Sequence, residues 1–441
     1  MSGLGEGAHE ALAAAAANGA AADRDEPAWR ARLEALMLAL DPADASRLGQ
    51  LLRESRATWG LLWPRPPFGA GEPPRALILG HALAGTAPGL ARLGWRVSVL
   101  APEPDGGPGP EVELARARAR STGAEVELLS LDELVDLDVL SVRSEPLFDL
   151  VLVEEALTRD DRMIPVATTE LVAEDALLAL TADNSLAYKS SSGHRADFRL
   201  TRPGVFLARL FGGGRAEGRA TLGGHRRYLA SLAGTEPGAV RAAALYPDRR
   251  DFSHAVDLDR EGADLTIGPK ERANRVKLAG YRAGLFATFT PSFGLWVRRG
   301  DGGEGAGARG EGVVEPRQLD LLVAAAWEAL GEDGPAPLPE HVVATRGNSA
   351  LVQTRGARGQ TGGDLVLRVA LGHRAVVHGR ANQEALAWLG ERFPDLPAPA
   401  ALGVLPAGGA AGLAVDVPME TRLDGLGAGQ LSADPGAMAR L

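Results

Sequence analysis

Two glycines and an acid stand where a turn could bring backbone against a bound cofactor. Gly80 ends the apolar run ALILG, and Gly85 follows it by five residues. Glu103 follows a second run, RVSVLAP. In doubly wound α/β folds, glycine after the first strand allows close approach of backbone to a ligand, and an acid after the second strand binds ribose hydroxyls. We predict a cofactor crevice at Gly80, His81, Gly85 and Glu103. A tight turn that binds nothing would use the same glycines.

The elements that would position this crevice follow from the apolar pattern. From residue 75 to residue 299, short apolar runs alternate with helical stretches, which is typical of β-α units that feed a mainly parallel sheet. Before them, apolar residues at helical spacing, broken by Asp41-Pro42, predict two short helices within residues 26–63. We predict strands at 76–80, 96–102, 125–130, 149–154 and 176–182, and helices at 87–93, 112–120 and 169–174.

The pattern changes at Gly300, where the glycine-dense segment GDGGEGAGARGEG predicts a flexible linker and a domain boundary. One cation, Arg368, lies in the apolar run VLRVA, and one acid, Glu384, lies in the helical stretch NQEALAWL. An ion pair between them would tie a strand to a helix. Beyond the linker we predict helices at 318–330 and 382–392 and strands at 350–355, 364–371 and 413–417.

Composition excludes several classes of function. The 441 residues include 47 basic and 57 acidic side chains, a net charge of -10 that argues against a nucleic-acid binder held by phosphate contacts. The absence of cysteine excludes disulfides, thiolate zinc sites and a cysteine nucleophile. His373 and His378 are poorly spaced for one helix face, and no acid cluster accompanies them. We therefore expect no metal site and no nucleic-acid partner.

The sequence also predicts a cytoplasmic protein without a membrane anchor. No run of about 18 apolar residues is free of charges and turn formers, so we expect no membrane-spanning helix. Glu6 and Glu10 precede the alanine-rich N-terminal run, where a signal peptide would carry basic residues.

The order and lengths of the elements between residues 73 and 299 resemble the class I S-adenosylmethionine-dependent methyltransferases. The first motif of that family has an acid before a Gly-x-Gly-x-Gly turn, and the matching stretch here is LGHALAG at 79–85. Its second and third glycines appear as Ala82 and Ala84, and its acid appears as Ile78. The ribose-binding acid of the family would fall at Ala101, with Glu103 two residues later. The cofactor motif is therefore degenerate.

Later segments resemble the family more closely. FDLV at 148–151 matches the fourth-strand pattern and leads to Glu155, and Asp132 follows the third strand, where the family often places a polar residue near adenine. In a branch associated with polysaccharides and natural products, the fifth strand runs into Asn-x-Leu and a Tyr-Pro-x-Pro-Asp segment follows, with counterparts at Asn184 and Tyr246. The resemblance implies that the two acids bind cofactor and that Asn184 and Tyr246 shape an acceptor pocket. A helix cap, a solvated strand end, a turn-forming Asn and a core Tyr remain open alternatives.

The resemblance implies a doubly wound fold with a mainly parallel seven-stranded sheet. It also implies an enzyme that transfers a methyl group from S-adenosylmethionine to a small molecule or sugar in cell-surface or secondary metabolism. Because the sulfonium methyl is already activated, the protein must mainly align donor and nucleophile and exclude water. A hydroxyl acceptor would also need a base, which His194, His225 or His254 could supply unless each is an ordinary structural histidine. The alternative function is a catalytically inactive methyltransferase fold that serves as a scaffold or binding protein.

The region after the linker resembles the small lobe of aminoglycoside phosphotransferase and choline kinase-like enzymes. In that family a basic residue on the third strand binds nucleotide phosphates and pairs with a Glu on the following helix. The resemblance places Arg368 and Glu384 at these positions, with arginine where the family has lysine. The catalytic large lobe has no counterpart before Leu441, so we expect a partial lobe that a protein partner could complete.

Together these patterns predict four parts. Residues 1–72 form a tail and N-terminal helices, 73–299 a methyltransferase-like domain, 300–316 a linker, and 317–441 a smaller α+β kinase-like lobe.

Overall fold

The structure of the protein is a computed structural model. The structure describes residues 26–42, 45, 57–64, 73–80, 86–100, 126–129, 148–154, 163–184, 221–246, 252, 254–259, 290–300, 316–345, 348–355, 365–394, 399–408 and 413–421. These residues form a single 13-stranded sheet with helices against its two faces. The helices are α1 (Glu26–Ala39), α2 (Ala87–Arg92), α3 (Met163–Thr169), α4 (Leu222–Ala233), α5 (Gln318–Ala329) and α6 (His373–Arg392), with a 3-10 turn at Thr58–Leu62.

The first five strands are parallel and lie in the order β3-β2-β1-β4-β5. They are β1 (Arg75–Leu79), β2 (Arg96–Leu100), β3 (Val126–Leu129), β4 (Phe148–Val153) and β5 (Val172–Asp183). Most residues of β1, β2 and β4 are buried whichever face they point to, which is why these strands read as continuous apolar runs. All five predicted strands are confirmed.

The sheet continues beyond β5 with strands that are antiparallel to their neighbours. These are β6 (Arg241–Tyr246), β7 (His254–Asp257) and β8 (Ser292–Arg298), in the order β5-β8-β6-β7. The predicted seven-stranded, mainly parallel sheet corresponds to β3-β2-β1-β4-β5-β8-β6.

Five further strands extend the same sheet in an antiparallel arrangement, in the order β9-β10-β11-β13-β12. They are β9 (Leu338–Thr345), β10 (Ser349–Arg355), β11 (Leu365–Ala370), β12 (Ala401–Leu405) and β13 (Val417–Thr421). The pair His254 and Val343 joins β7 to β9, so the strands before and after the predicted linker share one sheet. Residues 301–315 of the predicted linker lie outside the described residues.

Several predicted boundaries were wrong. The helix predicted at 169–174 lies earlier, at α3, and residues 172–174 begin β5. The last predicted strand, 413–417, lies four residues too early compared with β13, and α6 begins at His373 instead of 382. β9 and β12 were missed because β9 has a proline and a glutamate among its first residues and β12 is mostly exposed, so neither has clear apolar periodicity. The helix predicted at 112–120 lies outside the described residues.

Two hydrophobic cores cover the two faces of the sheet. On one face, α3 and α4 pack over alternate residues of β1, β4, β5 and β8. On the other face, α2, α5 and the 3-10 turn share a single core with β10, β11 and β13. Trp59 of the 3-10 turn lies edge-on to Trp63, with ring centroids 4.6 Å apart. It also covers Gly294, where an added Cβ would lie 2.6 Å from the Trp59 ring.

No helix in the described part of the chain is both long and apolar enough to cross a membrane.

Two helical glycines test this packing, because alanine at each should have opposite effects. In α2, a Cβ on Gly89 would lie 2.5 Å from Ala57 Cβ and 2.8 Å from Asn348 Nδ2. We expect Gly89→Ala to lower the free energy of unfolding by about 1–3 kcal/mol through overpacking. In α6, Gly390 faces open space, so Gly390→Ala should raise it by up to about 1 kcal/mol through helix propensity. Urea unfolding of both variants measures this, and shifts of the same sign would contradict the packing described for α2.

Candidate functional site

The strand order reverses between β1 and β4. From β1 the chain moves outward to β2 and β3, and then returns to β4 on the other side of β1. In open α/β sheets, ligands bind outside the carboxyl ends of the strands at such a switch point. Gly80 follows β1 directly and Glu154 follows β4 directly, so these two residues lie at the switch point.

Glu154 and Gly80 are in close contact there. The backbone N–H of Glu154 donates to Leu79 O at 2.8 Å, which continues the β1–β4 pairing by one residue. A Cβ added to Gly80 would lie 3.1 Å from Glu154 Cβ and 3.3 Å from its Oε2. The buried hydroxyl of Thr86 donates to Glu154 Oε1. Glycine at position 80 therefore leaves the space in which the half-buried carboxylate of Glu154 lies.

Glu154 is a candidate site residue that the sequence prediction did not include, because the prediction chose Glu155 as the acid after the fourth strand. The available signal was the position of Glu154 at the end of the run DLVLVE, the first residue after an apolar strand. Combined with the rule that ligands bind at carboxyl strand ends, that position would have indicated Glu154. Glu155 itself lies outside the described residues.

A second group of polar residues lies at the carboxyl end of β5, and all are buried. Ser292 Oγ donates to Asp183 Oδ1 at 2.8 Å, and His225 Nε2 lies 3.0 Å from Asp183 O. Asn184 Nδ2 donates to Thr290 O at 2.8 Å. The exposed fraction of each of these side chains is 8% or less. The group ties the end of β5 to the beginning of β8 and to α4.

Register places further predicted residues at this edge of the sheet. Ser292 pairs with both Asp183 and Leu245, so β6 ends beside the end of β5. Tyr246, the last residue of β6, pairs with His254, the first residue of β7. The backbones of Asn184 and Tyr246 therefore lie at the edge that also carries Gly80 and Glu154, although the side chain of Tyr246 lies outside the described residues.

The structure does not describe the remaining predicted cofactor residues. His81, Gly85, Glu103, Asp132 and Glu155 all lie outside the described residues, as does His194 among the candidate bases.

In the C-terminal part, residues 317–421, the acid that contacts Arg368 is Glu420 instead of the expected Glu384. The guanidinium forms two contacts with Glu420, Nε to Oε1 at 3.2 Å and Nη2 to Oε2 at 3.3 Å. Asn382 Nδ2 also donates to Glu420 Oε1, at 2.8 Å. Only 5% of the Glu420 side chain is exposed. Arg368 therefore forms an ion pair within the sheet.

Strand register explains the change of partner. Glu420 on β13 pairs with Val366 on β11, and Arg368 is two residues further along the same face, in a diagonal position that a long side chain reaches. On α6, Gln383 faces the sheet and donates from Nε2 to Met419 O at 3.1 Å. Glu384 is the next residue around the helix, and it is exposed.

Among the described residues, no group of three or more His, Cys, Asp or Glu side chains could hold a metal ion.

Comparison with known proteins identifies structural similarity to methyltransferases. No protein-family model and no curated protein sequence matches the chain. Among solved structures, PKMT2 from Rickettsia typhi with AdoHcy is 12% identical with a TM-score of 0.29, covering 55% of this chain and 52% of that one. Haemonchus contortus phosphoethanolamine N-methyltransferase 2 with S-adenosyl-L-methionine is 13% identical with a TM-score of 0.28, covering 52% of this chain and 49% of that one. The matched region thus spans about half of each of these proteins.

A third similar structure is a proposed sarcosine dimethylglycine methyltransferase from Galdieria sulphuraria. It is 13% identical with a TM-score of 0.27, and the match covers 59% of this chain and 88% of that one.

The partner of Arg368 can be tested by stability measurements. Arg368→Met should lower the free energy of unfolding by about 1–3 kcal/mol, because it leaves the buried Glu420 carboxylate with less compensation. Glu384→Gln should change it by less than about 0.5 kcal/mol, because an exposed carboxylate is already solvated. Thermal and urea unfolding measure both variants. Equal destabilisation by the two changes would contradict the Arg368–Glu420 assignment.

Proposed function

We propose that this chain binds S-adenosylmethionine at the switch point between β1 and β4 and transfers its methyl group to a small molecule or sugar. The observation that carries the proposal is the contact between Gly80 and Glu154 outside the carboxyl ends of those strands. The donor is cationic at its sulfonium and at its ammonium group. The Glu154 carboxylate, oriented by the Thr86 hydroxyl, would attract either charge.

The donor site in this proposal includes residues that the structure does not describe. Gly80 leaves space after β1. His81 and Gly85, which the sequence predicts at the same crevice, are included in the proposed site. Glu103 is proposed to contact the ribose and Asp132 the adenine, as the resemblance to class I methyltransferases implies. Glu155 completes the proposed set of cofactor-binding residues.

The carboxyl end of β5 is proposed as the acceptor side. Asn184 is held by its bond to Thr290 O, so its role would be to shape the pocket wall beside Tyr246. In the reaction, the acceptor oxygen or nitrogen forms a bond to the methyl carbon as the carbon–sulfur bond breaks. The sulfonium becomes a neutral thioether, and the acceptor loses a proton to a base or to water. His225 is buried against Asp183 O, whereas the backbone of His254 pairs with Tyr246 at the same edge.

We also propose that the C-terminal part is a kinase-like small lobe. Its support is the antiparallel order β9-β10-β11-β13-β12 with α6 following the third strand, which carries the central cation Arg368. Because Arg368 is engaged by Glu420, we assign this lobe a structural role and do not assign it phosphoryl transfer. A cytoplasmic location and a protein partner for this lobe remain part of the proposal.

Calorimetric titration with S-adenosylmethionine and S-adenosylhomocysteine tests the donor site. We expect micromolar binding by the wild-type chain and its loss in Gly80→Trp, because the indole would fill the space beside Glu154. Glu154→Gln should weaken binding of the cationic donor by about tenfold through loss of a charge-assisted contact. The matched control is Gly238→Trp, since Gly238 is an exposed turn glycine with open space around it.

Binding that persists in Gly80→Trp would place the ligand elsewhere. No binding of either ligand by the wild-type chain at millimolar concentration would overturn the methyltransferase proposal and favour an inactive scaffold.

A further inference from the structure

The short helix α2 connects the candidate donor site to the C-terminal part. Its first turn follows Thr86, whose hydroxyl donates to Glu154 at the switch point. With six residues, α2 is about 9 Å long, so its other end lies close to the site as well. That end contacts the C-terminal part of the chain.

The last carbonyl groups of a helix have no partner within the helix and must bond to other groups. In α2 these partners come from the C-terminal part. Ala414 N donates to Arg92 O at 3.0 Å, and Gln318 Nε2 donates to Leu93 O at 3.1 Å. Both acceptors belong to the C-terminal end of α2, so residues far along the chain complete the hydrogen bonding of this helix.

The side chain of Arg92 adds a third bond in the opposite direction. Its Nη1 donates to Leu371 O at 2.6 Å, and only 8% of the residue is exposed. Burying a cation costs free energy unless it is hydrogen-bonded, so the bond to Leu371 O favours this position of the Arg92 side chain.

Asn348 holds Leu371 in place and links it to the N-terminal segment. The backbone carbonyl of Asn348 accepts from the N–H groups of Leu371 and Gly372, at 2.8 and 2.9 Å. Its Oδ1 accepts from Ala57 N at 3.0 Å. Asn348 adopts a left-handed backbone with φ of 58°, which asparagine tolerates better than most residues. It is also 97% buried, since its exposed fraction is 3%.

Ala57, Gly89, Arg92, Asn348 and Leu371 therefore form one buried contact, which we call the junction. Gly89 brings α2 against it, because a Cβ at that position would lie within 2.8 Å of both Ala57 and Asn348. The junction holds one end of α2, and Thr86 and Glu154 hold the other.

We infer that the C-terminal part positions the donor site through the junction, with Arg92 and Asn348 as positioning residues. The effect on donor affinity rests on the proposed function, whereas the effect on the order of α2 does not. Loss of the Arg92 side chain removes a bond at the C-terminal end of α2, and loss of the Asn348 side chain removes the bond to Ala57, against which Gly89 of α2 packs. In either case α2 is held less firmly, and Thr86 at its other end loses a fixed support. Donor affinity falls because binding must restore that order.

The experiment compares two junction variants with two matched controls. Arg92→Met removes a buried guanidinium that donates to a backbone carbonyl, and Arg298→Met removes another whose Nη1 donates to Asp175 O at 3.1 Å, away from α2. Asn348→Gly keeps the left-handed backbone accessible and removes the bond to Ala57. Its control is Asn382→Ala, which removes a bond to Glu420 within the C-terminal part.

Two readouts are measured on the full chain. Hydrogen exchange of the peptide covering residues 79–95, without ligand, should be about tenfold faster in the junction variants than in the controls. Titration with S-adenosylhomocysteine should give a dissociation constant raised about tenfold in the junction variants and unchanged in the controls. Arg92→Lys, which retains one donor, should restore part of both effects.

Several outcomes would overturn the inference. If exchange at residues 79–95 is no faster in the junction variants than in their controls, the junction does not hold α2. If exchange changes but affinity does not, α2 is held without positioning the donor site. If the wild-type chain binds no S-adenosylhomocysteine, the proposed function fails and the exchange readout alone decides the role of the junction. If Arg92→Met does not fold, Asn348→Gly provides the same comparison.

Discussion

The parallel pairing of β1 with β4 is the constraint on which the rest of the candidate site depends. Leu79 pairs with Val153, and the next residue of each chain segment is therefore brought to the same point beyond the sheet. One residue is Gly80 and the other is Glu154. A shift of one residue in this register would turn one strand over relative to the other and separate the glycine from the carboxylate. It would also exchange the side chains that now pack into the two cores.

Polar groups lie at the same edge because the strands change from parallel to antiparallel beyond β5. β5 ends where β8 begins and where β6 ends, so residues 183, 246 and 292 meet although they are far apart in the chain. The hydrogen bonds of Asp183 with Ser292 and His225 satisfy polar groups that would otherwise be buried at a cost. This edge therefore combines a carboxylate that is only half-buried with a buried, hydrogen-bonded group of polar residues.

The C-terminal part, residues 317–421, supports the part of the chain that carries the candidate site. It extends the sheet through β7 and β9, completes the core beneath α5 and the 3-10 turn, and bonds to the end of α2. Proteins with two weakly attached domains bury little between them and usually move relative to each other. Here the buried Trp59, Leu322 and Val352 belong to one core, so the two parts are expected to fold and unfold together.

The sequence alone was enough to predict the strands whose residues are buried on both faces of the sheet. β1, β2, β4 and the end of β5 were predicted because fully buried strands show continuous apolar runs, and Gly80 was predicted because backbone approach at a turn requires glycine. Tertiary structure decided which side chains meet. The strand register brings Glu154 to Gly80. The diagonal position across β11 and β13 brings Glu420, and not Glu384, to Arg368. A left-handed asparagine distant in sequence from α2 forms the junction. These contacts depend on packing between distant segments, and local propensity and spacing do not encode which distant segments pack together.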